Sequence, residues 1–401
     1  MTPGGAVPSA GTGPSGPSGP SSVPGPGGRR LALAAMAAWA VAAVAAVTVI
    51  VAQGRGQSSA GPGASPPGAG HGQTSQSARL ARTMVTITDV GNMNFGASGK
   101  YPPGGPGPLL AGVTRHLRSQ LTVATLQTTL GTGGATKCAA GTVGCYAFQA
   151  PPGYAVAVHR AGFAALNLAG SHADDAGRLG LRQTNAALRA AHLRYTGRPQ
   201  QTAYLVRRHV RIALLGFAPY QYTRDQLALR AAIGAVRKAA ARSDVLIVFM
   251  HANGEGVGTR SDDPITFAHA MIRAGADLVL GSGPHALRGM QWYHGRLIAY
   301  SMGNFAGYYT LGLSGPGSQS AILRLRLRGN GLFVGGRVTA LRLTGPGIPA
   351  VDPTRAGIRL LNSLSRAEFG ASAVRITPTG RILAPPGSRA RSRPKSRPRR
   401  K

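Results

Sequence analysis

The sequence predicts an α/β domain, and three observations carry that prediction. From Met84 onward, short β-branched and apolar runs alternate with helical segments, the pattern of strands laid beside helices. Several of those runs are apolar throughout, as strands buried on both faces of a sheet are. Polar residues able to do chemistry follow the runs directly, and in open α/β sheets ligands bind at the carboxyl ends of strands.

Taken in order, residues 1–28 are Pro, Gly and Ser with almost no hydrophobes, so they have nothing to bury and are expected to be disordered. Arg29 and Arg30 open a segment, 29–53, expected to anchor the chain in a membrane. The run Leu31–Ala52 has no charged residue, long enough at 1.5 Å per residue to cross about 30 Å of hydrocarbon. The Arg pair at its amino end places that end in the cytoplasm and the rest outside. A cleaved signal peptide is the rival, but its apolar region is usually shorter. Residues 54–82, rich in Gly, Ser, Pro and Gln, read as a flexible linker.

The domain proper is expected over 83–385. Met84–Thr88, Leu121–Leu126, Ala164–Ala169, Arg211–Phe217, Val245–Met250, Leu278–Gly281, Leu297–Ser301 and Ala321–Leu327 read as strands. Arg224–Arg242, rich in Ala, Leu and Arg at helical spacing, reads as a helix. No internal repeat is evident. Residues 386–401 are a basic tail.

The formal net charge is +34, from 45 Lys and Arg against 11 Asp and Glu. Residues 387–401 supply eight positives, leaving 34 − 8 = +26 on the rest. Basicity spread this widely suits an acidic partner such as a cell-envelope polyanion, although an Arg-rich genomic composition gives the same balance. Nucleic acid is the less favoured polyanion, since aromatic residues make up 5% of the chain and the domain is expected outside the membrane. No Gly-x-x-x-x-Gly-Lys-Ser/Thr motif occurs, which argues against the chain using ATP itself. Cys138 and Cys145 are the two cysteines; export would favour a short disulfide loop between them.

The chemistry is expected where strands end. Asp89 follows Val85–Thr88, and Ser171 and His172 follow Leu166–Ala169, with Asp174 and Asp175 just beyond. His251 follows Val245–Met250, with Glu255 four residues on. His285 follows Leu278–Gly281, and Asn304 follows Leu297–Ser301. Each residue alone also fits a loop position, a turn or a helix N-terminus, the reading preferred for Asp174 and Asp175. Repetition at strand ends points instead to imidazole and carboxylate groups holding a divalent metal ion that activates water. His159, His192, His209, His269 and His294 receive no role.

The order of these segments resembles the CapA-type poly-γ-glutamate capsule-synthesis family. The most specific stretch is Gly275-Ala276-Asp277-Leu278-Val279-Leu280-Gly281, then Pro284-His285, Trp292-Tyr293 and Gly295, closing on Tyr300-Ser301-Met302-Gly303-Asn304-Phe305. Ala161-Gly162-Phe163 to His172, and His251 to Glu255, are similar to two further motifs. The resemblance spans roughly 83–345. It implies a metallophosphatase-like α/β sandwich, metal ligands at Asp89, His172, His251 and His285, and a proton-transfer or orienting role for Glu255 beside His251. Several positions depart from the family pattern. Thr88 stands for Gly, Gln127 for Glu, Ser171 for Asn, and Ser282 and Gly283 for two His.

Two functions follow. One is a metal-dependent hydrolase or transferase acting on an acidic polymer outside the membrane, alongside other capsule-synthesis subunits. The other is a non-catalytic member that binds or guides a polyanion with a degenerate metal site.

Overall fold

The computed structural model describes residues 71–385, apart from 98, 221, 252–262 and 313. The expected disordered N-terminus, membrane segment and basic tail lie outside the described residues, as does Glu255. Residues 71–82, expected as the end of a flexible linker, form helix α1 (His71–Arg82) instead. Leu80 packs that helix on the core, a single anchor that composition does not reveal. Among the described residues no helix is long and apolar enough to cross a membrane.

The chain continues through β1 (Met84–Asn94), α2 (Pro106–Leu110), α3 (Thr114–Leu117) and β2 (Leu121–Leu126). A small parallel pair follows, β3 (Thr129–Leu130) with β4 (Gln149–Ala150). Then come α4 (Tyr154–Arg160), β5 (Ala165–Asn167), α5 (Gly177–Ala190), β6 (Arg194–Thr196), β7 (Ala203–Arg207) and β8 (Val210–Phe217). Next are α6 (Leu229–Ala240), β9 (Val245–His251), α7 (Pro264–Ala274), β10 (Leu278–Ser282), β11 (Leu287–Tyr293) and β12 (Arg296–Met302). The last are β13 (Asn304–Gly307), β14 (Gln319–Arg328), β15 (Phe333–Thr344), β16 (Ile348–Val351), α8 (Ala356–Phe369) and β17 (Arg381–Ile382).

Among the described residues the strands make two large sheets. The first runs β16-β15-β14-β1-β2-β5-β6, with β13 beside β1 and β17 beside β15; β1, β2, β5 and β6 are parallel. The second runs β11-β12-β10-β9-β8-β7, parallel from β8 through β9 and β10 to β12.

Period-two alternation decides how the sheets stack. In β9, Val245, Ile247 and Phe249 meet Val85, Ile87 and Leu121 in a core between the sheets. Leu246, Val248 and Met250 point the other way, onto Val236 of α6 and Phe267 and Met271 of α7. On the far face of the first sheet, Val90 and Leu166 pack with Leu110, Val158 and Leu188 from α2, α4 and α5. The outcome is a helix–sheet–sheet–helix sandwich in which each fully buried Leu, Ile or Phe contributes about 1.5–3 kcal/mol.

Local chemistry sets the boundaries. Asp263 caps α7, its Oδ1 accepting from the amides of Ile265 (2.9 Å) and Thr266 (3.1 Å); such a cap stabilises by about 1 kcal/mol. Helix α6 starts at Leu229 and not at Arg224, because Asp225 Oδ1 first accepts from the Leu227 amide in a local turn. Strand β1 runs past its expected end at Thr88. Gly91, at φ 81, absorbs a register shift between Asp89 and Asn92, and the strand then pairs with β13. A Cβ at Gly91 would lie 2.4 Å from the Gly303 carbonyl, so only glycine allows this approach. Asp89 therefore sits inside a strand and not after one.

Candidate functional site at the carboxyl edge of the sheets

Three groups of polar side chains lie along the edge where the parallel strands end. The first is neutral. His285 follows β10 with φ 50, an uncommon conformation for a non-glycine residue and one that tends to mark functional sites. Its Nδ1 lies 2.6 Å from Asn304 Oδ1. Asn304 Nδ2 donates to the carbonyls of His285 (3.0 Å) and Gly317 (3.1 Å), so Oδ1 is the acceptor and His285 Nδ1 carries the proton. Asn92 Nδ2 approaches the same ring at 3.4 Å, and Gln127 Nε2 donates to Asn92 Oδ1 at 3.3 Å. Asn94 Nδ2 donates to the Gln127 carbonyl at 2.7 Å, fixing the start of the loop after β2. Gln127 Oε1 is buried and accepts no hydrogen bond among the described residues.

Asp89 lies below this group on β1 and is 4% exposed. Burial pushes its carboxyl up to about 7, against amide hydrogen bonds from Gly91 and Val90 that favour the ionised form.

The second group is charged and centres on Asp175. Its Oδ2 accepts from His172 Nδ1 (2.7 Å) and from the Phe148 amide (2.6 Å). Its Oδ1 meets Lys137 Nζ at 2.6 Å. Lys137 also donates to the Ser171 carbonyl at 2.8 Å, and the Phe148 ring lies 4.6 Å from that of His172. Cys138 and Cys145 are joined in a disulfide, so Lys137 and Phe148 flank the two ends of a closed loop, and both are fastened to Asp175. Asp174 and Asp175 precede α5, near the helix N-terminus as expected, but neither side chain caps it. Burial raises the Asp174 carboxyl, opposed by Arg198.

The third group surrounds His251, the fully buried last residue of β9. The Gln226 side chain clamps its backbone, accepting from the His251 amide (3.1 Å) and donating to its carbonyl (2.9 Å). Tyr220 Oη lies 3.4 Å from His251 Nε2. The Tyr220 ring stacks on Tyr222 at 5.7 Å, and Tyr222 donates to the Ser171 carbonyl at 3.1 Å. Gly170 packs so closely on Gln127 that a Cβ there would lie 2.9 Å from Oε1. The three groups therefore form one connected edge.

The structure brings His285 to Asn304, Asn92 and Gln127, and ties His172 to Asp175 and His251 to Tyr220. Among the described residues, no three His, Cys, Asp or Glu side chains converge as a metal-binding set. The donors supplied at positions 92, 127 and 304 are amides, which carry no charge to offset a divalent ion. The described residues thus do not by themselves fit a closed metal site. Sequence reasoning missed Lys137, Tyr220, Tyr222 and Gln226, which sit in irregular segments without a motif. The proximity of Lys137 to Cys138 was the one available signal.

This site lies on a two-sheet α/β sandwich with imidazoles at strand ends, the class of protein the sequence implied. The sequence profile of the bacterial capsule synthesis protein family PGA_cap matches residues 86–309, and the chain belongs to that family. It is 31% identical over 198 residues to the capsule biosynthesis protein CapA of Bacillus anthracis, covering 44% of this chain and 47% of that one. It is 29% identical over 160 residues to the PGA biosynthesis protein CapA of Bacillus subtilis (strain 168), covering 36% and 42%. The matches thus span under half the length of these relatives. A solved 5′-nucleotidase precursor from Thermus thermophilus aligns at TM-score 0.36 and 14% identity, over 65% of this chain and 54% of that one.

Proposed function

We propose that this protein works outside the membrane in capsule or poly-γ-glutamate biosynthesis, binding and guiding an acidic polymer along the carboxyl edge of its sheets. The observation that carries this reading is the His285–Asn304–Asn92–Gln127 network. It places an amide, Gln127, where the family resemblance implies a carboxylate. His285 is the partly exposed member of this group, and the buried amides hold its ring without adding a negative charge that would repel an acidic polymer. The Cys138–Cys145 bridge supports an oxidising, extracytoplasmic setting, and Leu31–Ala52 is the proposed anchor.

A second reading, a metal-dependent hydrolase or transferase, has its own support. His172 and His285 each commit Nδ1 to an oxygen acceptor, the way metal-ligating histidines are usually oriented. With Asp89 and His251 they would be the ligands, and Glu255 the group that moves a proton.

Metal content by plasma mass spectrometry separates the two. The full chain and a His251→Ala/His285→Ala variant are soaked with Mn²⁺ and Zn²⁺ and desalted. No retained metal in either protein is the expected result. About one divalent ion per chain, lost in the variant, would replace the binding reading with the hydrolase.

A further inference from the structure

The outer face of the first sheet changes character along its strands. Toward the carboxyl ends of the parallel strands it is apolar and covered, with Val90, Ala124, Leu166, Ile322 and Leu341 packed under helices. Toward the other end no such cluster continues, and the same face carries Thr86, Thr88 and arginines. Arg324, Arg326 and Arg328 alternate along β14 with the buried Leu323, Leu325 and Leu327. Arg324 stands opposite Thr88 and Arg326 opposite Thr86 of β1. On the other side, Arg324 is directly paired with Arg337 of β15, and Arg337 with Arg381 of β17. Arg326, Arg328, Arg337 and Arg381 are exposed.

Three arginines in one cross-strand row is an unfavourable arrangement for folding, because like charges directly opposite each other repel. Among the described residues nothing acidic relieves it. None of these five arginines belongs to an ion pair among the described residues. Their hydrogen bonds go to oxygens without formal charge: Arg324 Nε to Thr88 Oγ1 at 3.5 Å, and Arg337 Nη1 to the Thr379 carbonyl at 2.6 Å.

We infer that this arginine ladder is a docking track for a linear polyanion carrying one carboxylate per repeat, separate from the strand-end site. Alternate residues of a strand lie about 6.8 Å apart and neighbouring strands about 4.8 Å apart. The backbone positions of the ladder are therefore regularly spaced, and an exposed guanidinium can take a carboxylate through two parallel hydrogen bonds. A flexible polymer lying along β14 would meet a charge at every second residue. The track sits at the amino ends of the parallel strands, so a polymer held there leaves the His285 edge uncovered. The inference stands whether that edge binds polymer or catalyses.

The test uses the full chain and a fluorescein-labelled polyglutamate of about twenty residues, read by anisotropy across a salt series. The Arg324→Gln/Arg326→Gln/Arg337→Gln variant is expected to bind at least tenfold more weakly and to lose about three charges from its salt dependence. Its melting temperature should hold or rise as the repulsion is relieved. A control, Arg182→Gln/Arg230→Gln/Arg237→Gln, removes equal charge from helix positions away from the ladder and should bind within about twofold of the parent. Equal losses in both variants would mean diffuse attraction by net charge and overturn the ladder. So would undiminished polymer binding by the ladder variant, including the case where it loses only phosphatidylglycerol vesicles, which would make the face a membrane contact. A His285→Ala variant separates this from the strand-end site, since it should leave ladder binding intact.

Discussion

The surroundings of His285 and of His172 solve one problem in opposite ways. Both hold an imidazole by Nδ1 at a strand end. Around His285 the holders are neutral amides on β1, the loop after β2 and β13, and the family motifs point to the last two, Gln127 and Asn304. Around His172 the holder is a carboxylate neutralised by Lys137, and it ties in a loop that no motif flags. The neutral arrangement costs little to desolvate, so it sits deep: Asn92 and Asn304 are fully buried. The charged one needs its counter-charge close by and partly wet, and the Lys137 side chain is 28% exposed. An imidazole position can thus be kept while its electrostatic support is exchanged.

The largest expected effect lies on the neutral side. The Asp89 carboxyl is raised from 3.8 to about 7 in the folded protein. Stability from this group is full below pH 3.8 and is lost as pH rises through about 7, by about 4 kcal/mol in the chelator-treated protein. Asp89→Asn should flatten that slope in urea titrations from about pH 4 to about pH 8. An unchanged slope would show that the carboxyl is solvated.

On the charged side, Asp175→Ala strands the Lys137 ammonium and the Phe148 amide together. A loss of about 3 kcal/mol is expected in denaturant unfolding, with the His172 resonances shifted and those of His285 unmoved. Movement of both would mean the two regions are coupled. Opening the loop with Cys138→Ser/Cys145→Ser should cost about 2 kcal/mol by the chain-entropy account. With Asp175 still holding both ends, His172 should keep its Nδ1 hydrogen bond, visible as a slowly exchanging imidazole proton. The smallest effect on folding is that of Gln127→Glu, about 1 kcal/mol. Calorimetry should nonetheless show roughly tenfold tighter Mn²⁺ binding than the parent, because this one change returns negative charge to the His285 group.

What the sequence made legible follows from the same physics. Strands β8, β9, β10 and β12 were readable because both of their faces are buried, and so nearly every residue is apolar. Strand β1 was cut short because Gly91 reads as a breaker, whereas in the fold it lets the strand change neighbours. Helix α1 was read as linker because only Leu80 anchors it. His172, His251, His285 and Asn304 were found from their place after apolar runs. Lys137, Tyr220 and Gln226 were not, since their partners are 38, 31 and 25 residues away and no periodicity links them. The arginine row could not be seen without register, which pairs Arg324 with Arg337 and Arg337 with Arg381.

Asp175 fastens the cysteine loop from both sides, and that frees what lies between. Residues 139–144 take no part in placing His172, and Val143 is 98% exposed at the tip. Length and composition can drift there at little cost. The same tip is where an epitope or a fluorophore can be grafted to follow this protein without disturbing the groups at the strand ends.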